Sequence, residues 1–222
     1  MARTGQAHIT TRAKTAVRQQ AILDAALHLF ATRGLRATSI EDICAASGAS
    51  NGSLYHHFAS KEGIAATLYA SAIEDYQRGA LAVFQKARTA EEGFRGCVEQ
   101  YLYWVRDHRE LATLMLAVEH TDVRDVAANQ VTALNESFRA EVGTWMAGLA
   151  DRGELPDVPF DLMLPALLGP ARRFAELWLQ GKTRTSINEA ARILAEVAWN
   201  GLGGRPHAPP TGTGARSRRR RR

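Results

Sequence analysis

Along most of the chain apolar residues recur at intervals of three and four, the spacing that lines one side of an α-helix. Over residues 17–33, Ile22, Ala25, Ala26, Leu29 and Phe30 trace such a face, and Gly34 is placed to end the helix. Two short segments follow. Thr38 can cap the first, with Glu41 three residues on to close a capping box, and Ile40, Ile43 and Cys44 form its inner side. Gly48 can take the left-handed conformation that ends this segment, and Ser50 can cap a second one whose inner side is Leu54 and Phe58. A longer stripe, Ile64, Leu68, Ala72, Tyr76, Ala80 and Phe84, predicts a helix from 61 to about 86.

Beyond a polar stretch at 87–92 the helical period continues. Val98, Leu102 and Val105, with Tyr101, make one face; Leu111, Leu114, Met115 and Val118 make another. Val131, Leu134, Phe138, Val142, Trp145 and Leu149 predict a helix ending near Gly153, and Pro156 and Pro159 bracket a loop. From 160 to 180 apolar residues fall on several faces, so this segment is central or covered by another subunit. Pro165 and Pro170, the latter beside Gly169, predict a kink or break within it. Ile187, Ala190, Ala191, Leu194, Val197 and Ala198 predict a last helix with a small-residue face. No strand pattern or Rossmann-type glycine signature intervenes, so the fold class is all-α.

Two helices of about two turns joined by a glycine-containing turn have the layout of a helix-turn-helix, in which the second helix enters the major groove of DNA. Its outer side here carries Asn51, Ser53, Tyr55, His56 and His57, hydrogen-bonding groups with no carboxylate to repel phosphate. The same residues also suit a solvated helix. A core of roughly 45 residues is marginal alone, so the small unit should lean on the helix that starts at 61.

Charge is unevenly placed. Residues 1–61 hold seven Lys or Arg against three Asp or Glu, residues 62–204 fourteen against twenty, and residues 205–222 seven against none. Basic ends on an acidic middle match one module that meets a polyanion and another that does not. Residues 1–16 read as a basic flexible arm, with Arg12, Lys14 and, just beyond it, Arg18 able to reach phosphate, and 203–222 as a disordered Arg-rich tail. No secretory apolar run or membrane-length segment appears, which predicts a cytoplasmic protein, nucleoid-associated when on DNA. Cys44 and Cys97 are isolated and suggest neither a disulfide scaffold nor a thiolate metal site; no metal and no cofactor are expected.

Residues 19–64 resemble the N-terminal domain of the TetR family of bacterial transcriptional repressors. The likeness runs through Ala25-Ala26, Leu29-Phe30, Arg33-Gly34, Thr38-Ser39-Ile40, Ile43-Cys44, Ala46-Ser47-Gly48, Gly52 through Phe58, and Ser60-Lys61-Glu62. It implies a three-helix DNA-binding domain over 17–61 and a larger helical effector-binding and dimerisation domain over 62–202. It assigns Thr38 and Lys61 to phosphate, with Ser39 in the same DNA-facing set. Ser50, Asn51 and Ser53 go to base edges or nearby phosphates, and Tyr55 and His56 to the backbone. Family members often carry Lys or Arg where this chain has Asn51, although Asn can pair with adenine. The resemblance further implies a homodimer on a two-fold symmetric operator and release by a small molecule.

The Trp, Met and His residues interleaved in the C-terminal helices suggest a hydrophobic or aromatic effector, with Trp104, His108, Met115, His120, Trp145, Phe174 and Trp178 as candidate contacts. Each also suits packing. Leu167, Phe174, Ile187, Ala191, Leu194 and Ala198 are the candidate dimer seam, on the family's pairing of the last two helices. An enzyme is not expected, since no phosphate loop, HExxH or nucleophile elbow is present. The rival is a non-specific or architectural nucleic-acid-binding protein.

Overall fold

A computed structural model describes residues 3–118, 122–156 and 158–203. Among them the secondary structure is helical throughout: α1 (Arg3–Arg33), α2 (Ile40–Ser47), α3 (Asn51–Phe58), α4 (Lys61–Lys86), α5 (Ala90–Asp107), α6 (Arg109–Val118), α7 (Val123–Asp151), α8 (Phe160–Leu179) and α9 (Ile187–Gly201). No helix among the described residues is long and apolar enough to cross a membrane.

Two apolar cores organise these helices. In the first, Ile22, Ala26, Leu29 and Phe30 of α1 meet Ile43 of α2, Leu54 of α3 and Ile64, Ala65 and Leu68 of α4. As expected, the small unit leans on α4, but it also takes Leu114 and Val118 from α6 and Val123 and Ala127 from α7. The second core lies between the far end of α4, α5, the far end of α7, α8 and α9. The small face of α9, Ala190, Ala191, Ala195 and Ala198, is buried here, with α9 lying along α5.

Local signals set most boundaries. Ser60 caps α4 by accepting from the Gly63 amide, Thr89 caps α5, and Ser186 caps α9. Gly34 and Gly48 both take positive φ where α1 and α2 end. Three expectations need correction. The first helix starts at Arg3 instead of 17, so the expected flexible arm is helical from there on. Once α1 is nucleated by its packed turns, a segment without proline adds a hydrogen bond per residue. The helix expected to run about 25 residues to near Gly153 is 29 residues long and begins at Val123, because Val123 and Ala127, ahead of the stripe that starts at Val131, are spent on the first core. Finally, α8 runs unbroken through Pro165 and Pro170; both lie on its exposed side, where water can satisfy the carbonyls left without a donor. The C-terminal tail from 204 lies outside the described residues.

Candidate nucleic-acid interface

The turn between α2 and α3 is built from short-range contacts. Ser39 caps α2: its Oγ accepts from the Asp42 amide at 3.1 Å, and the Asp42 carboxylate accepts from the Ser39 amide at 2.9 Å. That amide holds the Asp42 carboxyl below its usual range. The capping box is therefore one residue later than the expected Thr38–Glu41 pair. Thr38 faces inward instead, 1% exposed, with its hydroxyl donating to the Gly34 carbonyl at 2.9 Å. Its side chain supports the junction of α1 and α2 and does not face solvent.

Ser50 caps α3 as expected, accepting from the Ser53 amide at 3.3 Å. Leu54 is fully buried and Phe58 half-buried, which turns Asn51, Tyr55 and His56 outward; Tyr55 is 53% exposed although it is a large aromatic. Ser53 is partly covered. His57 is pulled back toward α1, where Gln19 Nε2 donates to its Nδ1 at 3.2 Å. Lys61 Nζ donates to the Thr38 carbonyl at 2.8 Å, which stations the ammonium beside the start of α2 with two N–H groups still available. Asn51 Oδ1 accepts from Cys44 Sγ of α2 at 3.1 Å, a contact between the two helices that sequence reasoning missed. Lys14, Val17, Arg18 and Ala21 of α1 face Ser47, Gly48 and Ala49 across a recess of about 530 Å³, bringing two basic side chains to the edge of the same surface. The two cysteines belong to different parts of the molecule: Cys97 is buried in the second core, where burial pushes its thiol up to about 12.

The candidate effector residues fall into separate groups. Trp104 is buried, and its indole N–H donates to Asp75 Oδ2 at 2.8 Å. The His108 ring stacks on it at 5.1 Å and brings Nε2 within 3.6 Å of the same carboxylate. Trp145 packs instead on Phe84 and Phe94, with ring centroids 4.7 and 5.4 Å away. Trp178 lies under the Arg109 guanidinium at 4.3 Å. Met115 and Phe174 are half-buried at the rim of the second core, and His120 lies outside the described residues. A recess of about 400 Å³ between α4 and α7, bounded by Tyr69, Arg124, Val131 and Asn135 among others, includes none of the seven.

The expected seam also needs correction. Leu167, Ile187, Ala191 and Ala198 are buried within the chain, so they cannot present an outer face, while Phe174 and Leu194 are half-buried. Among the described side chains, the large apolar ones that α8 and α9 do expose are Leu162 (54%), Leu164 (58%), Ile193 (45%) and Val197 (51%).

Comparison with known proteins places these features in a family. Residues 22–68 match the sequence model described as bacterial regulatory proteins, tetR family. Over 199 residues the chain is 30% identical to the HTH-type transcriptional repressor KstR2 of Rhodococcus jostii, covering 86% of this chain and 93% of that protein. It is 56% identical over 45 residues to KstR2 of Mycobacterium tuberculosis, covering 20% of this chain and 22% of that one. Among solved structures, a TetR family regulator of Marinobacter aquaeolei superposes with a TM-score of 0.70 at 23% identity, over 86% of this chain and 97% of that one. The regulator FadR of Bacillus subtilis, solved with stearoyl-CoA, superposes with a TM-score of 0.69 at 15% identity, over 84% and 99%.

Proposed function

Because the chain belongs to the tetR family of bacterial regulatory proteins, we propose that it is a transcriptional repressor that binds its operator as a symmetric dimer and leaves it when a small molecule occupies the C-terminal helices. The observation that carries this reading is the outward side of α3: Asn51, Tyr55 and His56 are exposed on a helix clamped from behind by Leu54 and carrying no carboxylate. Such a surface suits a groove walled by phosphates.

Each part of the surface has its own task in this reading. Lys61, held at the α2 end by Thr38, meets phosphate with its two remaining N–H groups, and Lys14 and Arg18 extend the phosphate contact along α1. Tyr55 and His56 complete the backbone contacts. Asn51, Ser53 and the Ser50 hydroxyl lie nearest to the base edges, while Ser39 faces DNA from the start of α2. Two such units about 34 Å apart would read a two-fold symmetric site. The exposed apolar residues of α8 and α9 are the faces a second copy would cover.

The effector is hydrophobic with few polar handles. Asp75, Trp104 and His108 form a polar group at the wall of an otherwise apolar core, and Gln100 Oε1, one turn before Trp104 on α5, is buried without a partner. Stearoyl-CoA, held by the Bacillus subtilis neighbour, has an acyl chain of that chemistry joined to a polyanionic head. Binding can release DNA only by favouring a conformation whose α3 helices no longer match successive grooves. The protein acts in the cytoplasm and catalyses no reaction.

Selection from a pool of randomised duplexes, followed by titration of the winning sequence, tests this. A preference of roughly a thousand-fold or more over unrelated duplexes is expected. Equal affinity for all duplexes would overturn it and leave an architectural protein.

A further inference from the structure

We propose that Cys44 sets the base preference of Asn51: its thiol holds the Asn51 carbonyl oxygen from behind, so that the amide nitrogen is presented to DNA as a donor and reads guanine in place of adenine. This rests on α3 entering the major groove, as argued above. Asn51 is the first residue of α3 and is exposed, whereas Cys44 sits half-buried on α2 with Sγ 3.1 Å from Asn51 Oδ1. Among the described residues the Asn51 amide nitrogen has no protein partner. The orientation follows from chemistry: a thiol is a weak donor and a poorer acceptor, so the oxygen end of the amide turns toward it. Burial and the nearby Glu41 raise the Cys44 thiol, which keeps its proton in place at neutral pH.

The consequence lies in the groove. An asparagine recognises adenine by accepting from N6 and donating to N7 at once, which needs both ends of the amide facing the base. With the oxygen drawn back onto α2, what remains outward is a pair of N–H donors. Guanine offers two acceptors, O6 and N7, on its major-groove edge. Cys44 is thus a positioning residue: it acts on the base only through Asn51.

Randomised-duplex selection with four proteins tests the idea. Asn51→Ala marks the position that Asn51 reads, as the one where base preference collapses. Wild type is expected to favour guanine over adenine there by about ten-fold. Cys44→Ala should lower that ratio about three-fold, and Cys44→Ser, which keeps a donor, should largely restore it. Affinity for unrelated duplexes should be the same in wild type, Cys44→Ala and Cys44→Ser. Because Cys44 also packs against the first core, a second measurement leaves the protein untouched: 7-deazaguanine at the marked position, lacking the N7 acceptor, should weaken wild-type binding about three-fold or more. Adenine preference in the wild type, an unchanged ratio in Cys44→Ala, a Cys44→Ser that behaves like Cys44→Ala, indifference to 7-deazaguanine, or an Asn51→Ala that leaves every position unaltered would each overturn the proposal. A wild type that selects no sequence would instead overturn the repressor reading, and this inference with it.

Discussion

Ala59 joins α3 to α4 at φ +60°, a backbone conformation that a side chain bearing Cβ rarely adopts. It is held there because its amide donates to the Tyr55 carbonyl and Ser60, the next residue, must cap α4. Ala59→Gly relieves the strain and should stabilise the fold by about 1 kcal/mol in thermal or denaturant melts, with operator affinity unchanged. An unaltered melting curve would mean that no strain is stored there. Gly63 is the opposite case: a Cβ on it would collide with the Phe58 carbonyl oxygen, so Gly63→Ala should tilt α3 away from α4 and weaken operator binding more than it lowers helicity. Residue-scale signals were legible where they were purely local. Ser50, Ser60 and Gly48 act as their residue types suggest, because capping and positive φ involve only a few neighbours. The Thr38 capping pair slipped by one residue for a tertiary reason: the Thr38 hydroxyl is taken by the carbonyls of Leu29 in α1 and of Gly34 just after it, and Ser39 is left to cap. No spacing rule contains that information. The Cys44–Asn51 contact was hidden in the same way, since it depends on how two helices lie together.

At the scale of elements, periodicity reported that a face is buried but not what buries it. The stripe of α9 was read as a seam between subunits; Ala191 and Ala198 instead face α5 of the same chain, and the outer side is carried by Ile193 and Val197. For the same reason α1 was legible from 17 on, where it carries a stripe, and not over 3–16, where it does not. A charge at Val197 should therefore split the dimer, with Val197→Glu sedimenting as a folded monomer at micromolar concentration while Ala191→Glu loses the fold itself. If Val197→Glu stays dimeric, the seam lies elsewhere. The α4–α5 contact gives a further prediction. Tyr76 and Cys97 touch across it, and burial raises both groups, Cys97 to about 12. A raised folded-state pKa favours the protonated form, so stability is full below the unfolded thiol value of 9.0 and drains away as pH climbs from there toward 12. Urea melts at pH 8 and pH 10.5 should show this loss, and Cys97→Ala should make the alkaline fall shallower; an equal slope would exclude the thiol as its source.

Across the whole molecule, the question is how an event in the second core reaches α3. Helix α6 belongs to both ends, since Leu114 and Val118 complete the first core and Leu111 packs against both. Directly before Leu111, Glu110 lies 2.8 Å from His28 of α1, but this pair is largely exposed, and exposed pairs contribute about 0–1 kcal/mol. Apolar contact at Leu111 is the stronger link. Sequence alone placed Leu111 on a helical stripe and could not show that the stripe is shared between two cores. If α6 carries the signal, Leu111→Ala should reduce the ratio of operator affinities without and with effector more than it changes either affinity alone. Effectors commonly shift partner affinity by about 5- to 150-fold, and the variant should bring that ratio down to a few-fold. Glu110→Gln should leave it nearly intact. Titrations of operator in the presence and absence of effector, for both variants, decide the matter: an undiminished ratio in Leu111→Ala would move the coupling to α4, which also spans the two cores.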